Sequence, residues 1–145
     1  MSLDGAYDDQ NIFAKILRGE IPAARVFEDG DILAFMDVFP QSRGHTLVIS
    51  KTSKARTLLD IEPDALISLM HGVQRVTKAV CAALQPAGIV VTQFNGATAG
   101  QTVFHLHVHI IPRYAGEALK PHAAGKMADA GELATLAKAI AAKVA

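Results

Sequence analysis

Eight consecutive residues restrict this chain more than any other segment: Phe104-His105-Leu106-His107-Val108-His109-Ile110-Ile111 interleaves histidine with apolar side chains. An unbroken period of two marks a strand, in which residues two apart project to the same face. As a strand over residues 103–111, the segment presents His105, His107 and His109 on one face, roughly 6.6 Å between neighbours. Leu106, Val108 and Ile110 then point the other way, into the core. Imidazoles this close depress one another's pKa, so at least one is expected to be neutral near pH 7. A neutral imidazole is a nucleophile. The segment by itself fits three chemistries: a solvated edge strand, a metal site in which histidines at i and i+2 share one ion, and nucleophilic attack on phosphorus. The solvated face is the weakest, because strict alternation of three identical residues is improbable with six histidines in 145 residues.

The rest of the chain reads as one domain, long enough for one core and not for two. Residues 11–19 predict a short helix, with Ile12, Phe13, Ile16 and Leu17 on one face and Gly19 at its end. Ile21-Pro22 forces extended chain. Residues 24–28 and 32–37 read as strands joined by Asp29-Gly30, a hairpin signal. A loop over 39–44 leads into a strand over 45–49. Residues 63–84 form the main helix, with Pro63 in its first turn and Leu66, Leu69, Met70, Val73, Val76, Val80 and Leu84 on one stripe. A strand over 88–94, a small-residue loop over 95–100 and the histidine strand follow, the last ended by Pro112. A final helix begins at about Asp129, with Leu133, Leu136, Ala137, Ile140 and Val144 as its apolar face. The expected class is α+β: an antiparallel sheet of about five strands, one long helix packed on it, helices on one side, and shorter terminal helices. Residues 1–10 are expected to be a flexible extension, 11–145 the domain, and 115–145 a variable C-terminal part of it.

Composition narrows the functional classes. Lys plus Arg and Asp plus Glu both number 14, giving a formal net charge of zero, so no broad electrostatic footprint for nucleic acid is expected. Cys81 is the single cysteine, which fits a reducing, cytoplasmic setting. The acidic start has neither the basic region nor the apolar core of a signal peptide. No apolar run approaches the ~20 residues that span a bilayer, so no membrane partner is expected. The 95–100 loop lacks the Gly-Lys-Ser/Thr ending of a Walker loop. His71 reads as a structural or exposed helix residue, and nothing is assigned to His122.

His-φ-His-φ-His-φ-φ, with φ apolar, is the signature of the histidine-triad family, and residues 105–111 match it throughout. The resemblance extends to Ile12-Phe13-Ala14-Lys15-Ile16 with Gly19-Glu20-Ile21-Pro22-Ala23, and to Leu33-Ala34-Phe35-Met36-Asp37 with Gly44-His45-Thr46-Leu47-Val48-Ile49. It continues to Asn95 and Gly100-Gln101-Thr102-Val103. It covers about residues 11–114 in order. The resemblance implies a nucleotide hydrolase or transferase in which His107 attacks the α-phosphorus to give a covalent nucleotidyl-histidine. It implies that His109 contacts the phosphate and orients the nucleophile, with His105 and His45 as a supporting pair. Gln101 and Thr102 would lie near the phosphate and leaving group. Asp37 would accept from the ribose hydroxyls, and Asn95 would touch sugar or phosphate. Ile12, Phe13, Ile16, Ile21, Phe35 and Val38 would enclose the base. The implied substrates are purine nucleoside phosphoramidates, adenylated amines or dinucleoside polyphosphates, cleaved without metal or organic cofactor. The implied partners are purine nucleoside monophosphate, its conjugates and a second copy of the chain. Two rivals from other classes are a nucleotide-binding regulatory module and a metal-dependent hydrolase.

The resemblance also has gaps. Many bacterial members carry Cys-x-x-Cys around the first helix and a histidine after the second block, which with the first triad histidine hold structural zinc. Here those positions are Asn11, Ala14 and Ser53. Three of four ligands are absent together, so no metal is expected and His105 is left to the catalytic cluster. The chain after Arg113 resembles the family weakly, which leaves the leaving group open.

Overall fold

The computed structural model describes residues 3–121 and 126–145; His122 lies outside them. A short helix α1 (Ile12–Leu17) is followed by β1 (Arg25–Glu28), β2 (Ile32–Met36) and β3 (Thr46–Ser50). The long helix α2 (Pro63–Leu84) leads to β4 (Gly88–Thr92), then β5 (His107–Arg113) and the C-terminal helix α3 (Ala130–Ala141). The strands form one sheet in the order β1-β2-β3-β5-β4, antiparallel throughout. This is the expected α+β class. The β1–β2 hairpin is closed by Asp29, whose carboxylate accepts the N–H groups of Asp31 and Ile32.

Both faces of the central strands are buried, and strand parity sorts them. Ile32, Ala34, Met36, Val48, Val108 and Ile110 face α2 and α3, where Leu69, Val73, Val76, Val80, Leu136 and Ile140 complete the main core. Leu33, Phe35, Leu47 and Ile49 face the other way and meet Phe13 and Ile16 of α1. Full burial of such a side chain stabilises the fold by about 1.5–3 kcal/mol. Helices therefore cover both faces, where the sequence suggested one. The small α1 cannot cover all of its face, and the site lies in what it leaves open.

Three further differences have physical reasons. Met70, expected on the buried stripe of α2, is 45% exposed, because Leu69, Gly72, Val73 and Val76 form the face that meets the sheet. The strand expected over 103–111 begins at His107, where the ladder to β3 stops at the Ile49–His107 pair although β3 continues to Ser50. Leu106 instead donates its N–H to Ala55 O. Pro112 does not end β5: it lies beyond the last β3 pair, Thr46–Ile110, where its missing N–H is tolerated.

Candidate active site

His107 and His109 lie opposite Ile49 and Leu47 of β3. Their side chains therefore share the face that carries α1. The Nδ1 of His107 is 2.7 Å from the carbonyl oxygen of His105. A carbonyl only accepts, so Nδ1 carries the proton and Nε2 carries the lone pair. The edge of Phe13 meets the His107 ring at 4.9 Å and 89°, which limits its rotation.

A second chain of bonds orders His109. The N–H of Gln41 donates to Nδ1 of His45 at 3.0 Å, so the His45 proton is on Nε2. That Nε2–H faces Nδ1 of His109 at 2.9 Å and Oδ2 of Asp37 at 3.4 Å. His109 thus accepts at Nδ1 and keeps its proton on Nε2. The other carboxylate oxygen of Asp37 accepts from Phe39 N–H at 2.8 Å. His45 and His109 are buried, while the Asp37 side chain is 14% exposed and reachable by ligand.

His105 is held differently. It precedes β5, and its Nε2 donates to Ser50 O at 3.2 Å. Its Nδ1 then accepts from the hydroxyl of Tyr7 at 2.6 Å. Burial lowers its pKa to about 4, the Ser50 carbonyl opposing only in part, so it is neutral at physiological pH.

Asp37, Thr102, His107 and His109 open onto one cleft of about 540 Å³. Ile12, Phe13, Ile16, Ile21, Phe35 and Val38 line the same cleft. Its size suits a small ligand, and its walls are apolar with a few convergent polar groups. His45 and His105 stand behind this surface, each bonded to a group that forms it or holds it. Asn95 and Gln101 are elsewhere. The Asn95 amide exchanges hydrogen bonds with Gln93 and accepts from Leu58 N–H. The buried Gln101 amide donates to Arg56 O and Val103 O and accepts from Gly96 N–H, tying the 96–103 loop together.

The positions expected to lack zinc ligands have other duties. Asn11 caps α1 by accepting from Phe13 and Ala14 N–H, Ala14 is buried apolar, and Ser53 Oγ accepts from Ala55 N–H. Among the described residues, Asp37, His45 and His109 have donor atoms within 4.8 Å of one another. A metal on His45 Nε2 would have to displace the proton placed there by the Gln41 bond, so this trio reads as an ordered hydrogen-bond chain.

Sequence reasoning missed Leu47, Phe39 and Met127 in the cleft wall, and Tyr7 beside the triad. Leu47 was legible from strand parity. Met127 and Tyr7 arrive from chain ends that carry no local signal for the site.

Similarity to known proteins extends over most of the chain. The model of the HIT domain family matches residues 18–116. "Protein hit" of Bacillus subtilis (strain 168) is 42% identical over 103 residues, 71% of this chain and 70% of that protein. The adenosine 5'-monophosphoramidase hnt1 of Schizosaccharomyces pombe is 39% identical over 102 residues, 70% of this chain and 73% of that protein. The crystal structure of a Hit-like protein involved in cell-cycle regulation from Bartonella henselae superposes with a TM-score of 0.87 at 48% identity, covering 95% of this chain and 99% of that one.

Proposed function

The chain belongs to the histidine-triad (HIT) family, and from that premise we propose that it cleaves purine nucleoside phosphoramidates through a covalent nucleotidyl group on His107. The observation that carries this reading is the 2.7 Å bond from His107 Nδ1 to His105 O, which leaves the Nε2 lone pair on a cleft-lining ring. In the first step that lone pair forms a bond to the α-phosphorus. The P–N bond to the leaving amine breaks, its electron pair stays with the amine, and the amine takes a proton from water. In the second step water adds to phosphorus and gives its proton to the hydroxide left by the first step, the bond to His107 breaks with its electron pair returning to Nε2, and the nucleoside monophosphate departs. The Nε2–H of His109 and the hydroxyl of Thr102 donate to phosphate oxygens as charge develops there. Asp37 accepts from the ribose diol, and the apolar slot around Phe13, Ile16 and Phe35 takes the purine. Asn95 and Gln101 act through the shape of the loop.

The amine leaving group is favoured because hnt1, a relative, is named a monophosphoramidase. A dinucleoside polyphosphate would leave by the same steps with a nucleotide in place of the amine. A regulatory binding module would bind nucleotide in the same cleft without turnover. The second copy expected of this chain would sit over α2 and the sheet edge β4, where Ile67, Met70 and Val91 are exposed. Among the described residues, no helix is long and apolar enough to cross a membrane; the single Cys81 fits a cytoplasmic setting.

Turnover of an adenosine phosphoramidate, with phosphorus NMR of quenched enzyme, tests the proposal. His107→Ala is expected to abolish turnover and the protein-bound phosphorus signal while nucleotide still binds. Near-normal rates in that variant would remove His107 as the nucleophile.

A further inference from the structure

We propose that Tyr7 is a positioning residue for the nucleophile, so that residues 3–9 belong to the catalytic apparatus. The inference rests on the reading of His107 given above. Nδ1 of His107 donates to the carbonyl of His105. His105 precedes β5, so the sheet ladder does not set the direction of that carbonyl. Two holds fix it: Leu106 N–H, in the same peptide unit, donates to Ala55 O, and the ring of residue 105 is bonded at both nitrogens. Ser50 O takes the Nε2 proton, and the Tyr7 hydroxyl donates to Nδ1 at 2.6 Å. The Tyr7 ring also meets the imidazole edge-on, with centroids 5.7 Å apart. A neutral, buried imidazole has one lone pair to satisfy, and Tyr7 satisfies it. Removing the hydroxyl takes away one of these holds: the ring turns to seek another donor, and the carbonyl tilts about the Leu106–Ala55 bond that remains.

The segment bearing Tyr7 is anchored along its length. Arg56 donates to Leu3 O at 3.2 Å, and Arg18 donates to Asp9 O at 2.8 Å. Asn11 donates to Asp8 O, and the Asp9 carboxylate is 3.1 Å from Lys54 Nζ. Gly5, at φ +148°, lies against the Arg56 guanidinium, where a Cβ would stand 3.2 Å from Cζ. That guanidinium in turn covers the ring of Phe104, the residue before His105, at 4.8 Å. The segment therefore touches residue 105 from two directions: through its ring by Tyr7, and through its chain neighbour by way of Arg56.

Tyr7→Phe in the full chain separates positioning from packing, because the ring remains. Expected are an about five- to tenfold fall in kcat on an adenosine phosphoramidate, an unchanged KM and a small change in thermal midpoint. Nitrogen-15 NMR of the imidazoles is expected to show His105 Nδ1 moving downfield as its hydrogen bond is lost, with the His107 Nδ1 resonance moving as well. Unchanged His105 and His107 resonances would overturn the proposal, as would a kcat equal to the parent's. A fall in kcat matched by a fall in stability, with the imidazole signals unmoved, would also overturn it. If the parent protein turns over no nucleotide substrate, the functional reading fails by itself, and the two imidazole resonances still decide whether Tyr7 positions His107.

Discussion

Nε2 of His45 stands 2.9 Å from Nδ1 of His109, so a residue just ahead of β3 and a residue within β5 share one hydrogen bond. Through Gln41 N–H on the far nitrogen, the backbone dictates which way that bond is polarised. His45→Ala removes the donor to His109. We expect kcat/KM on an adenosine phosphoramidate to fall about tenfold or more, the order of one buried hydrogen bond together with the stranded acceptor. Steady-state kinetics of the purified variant check it.

Asp37 accepts from Phe39 N–H and faces His45, yet keeps an exposed edge in the cleft. Asp37→Asn is expected to raise KM about tenfold for a ribonucleotide substrate by weakening the bonds to the diol. The same change should barely affect a 2',3'-dideoxy substrate. Equal effects on both substrates would take Asp37 away from the ribose.

His105 gives a pH dependence of stability with a definite sign. Its folded pKa is about 4, against 6.5 for the ordinary group. Between these values the unfolded chain binds the proton and the folded chain does not, so stability rises with pH across this window and is level above it. Going down through the window costs about 3 kcal/mol at most. Thermal midpoints measured from pH 7 to pH 4 should fall more steeply for the parent than for His105→Gln.

Gly44 has φ +93°, and a Cβ there would run into Cδ1 of Leu84 at the end of α2. Gly44→Ala combines backbone strain with a clash and should destabilise the fold by about 2–4 kcal/mol. Urea unfolding measures this. Because Gly44 is next to His45, activity should fall further than the loss of folded protein explains.

Much of this architecture was legible along the chain. Pro63 and a run of apolar residues at helical spacing gave α2 its full extent, Pro63–Leu84, because both its punctuation and its period are local. The cleft residues Phe13, Ile16, Phe35, Asp37 and His107 were legible as a set from the motif blocks. What escaped depends on partners far away. The start of β5 is set by Ala55 O, which takes the Leu106 N–H from the ladder, and that is not written in residues 103–106. Asn95 and Gln101 read as available amides, but whether an amide is already spent on backbone depends on Leu58, Arg56 and Gly96. The side of the sheet taken by α1 followed from β2, whose buried run Ile32–Met36 hides its parity from any pattern of polar and apolar residues.

The bond between Tyr7 and His105 closes a separation of 98 residues. Contacts of that span form late, since chain entropy must be lost before they return anything. During synthesis the cleft walls from Ile12 to Leu47 emerge before His107, and Met127 emerges after it. A nascent chain can therefore fold its β1–β2 hairpin and α2 while lacking every group that reacts with phosphorus. On the proposed mechanism, a covalent intermediate on His107 would report that Tyr7 and His105 had met.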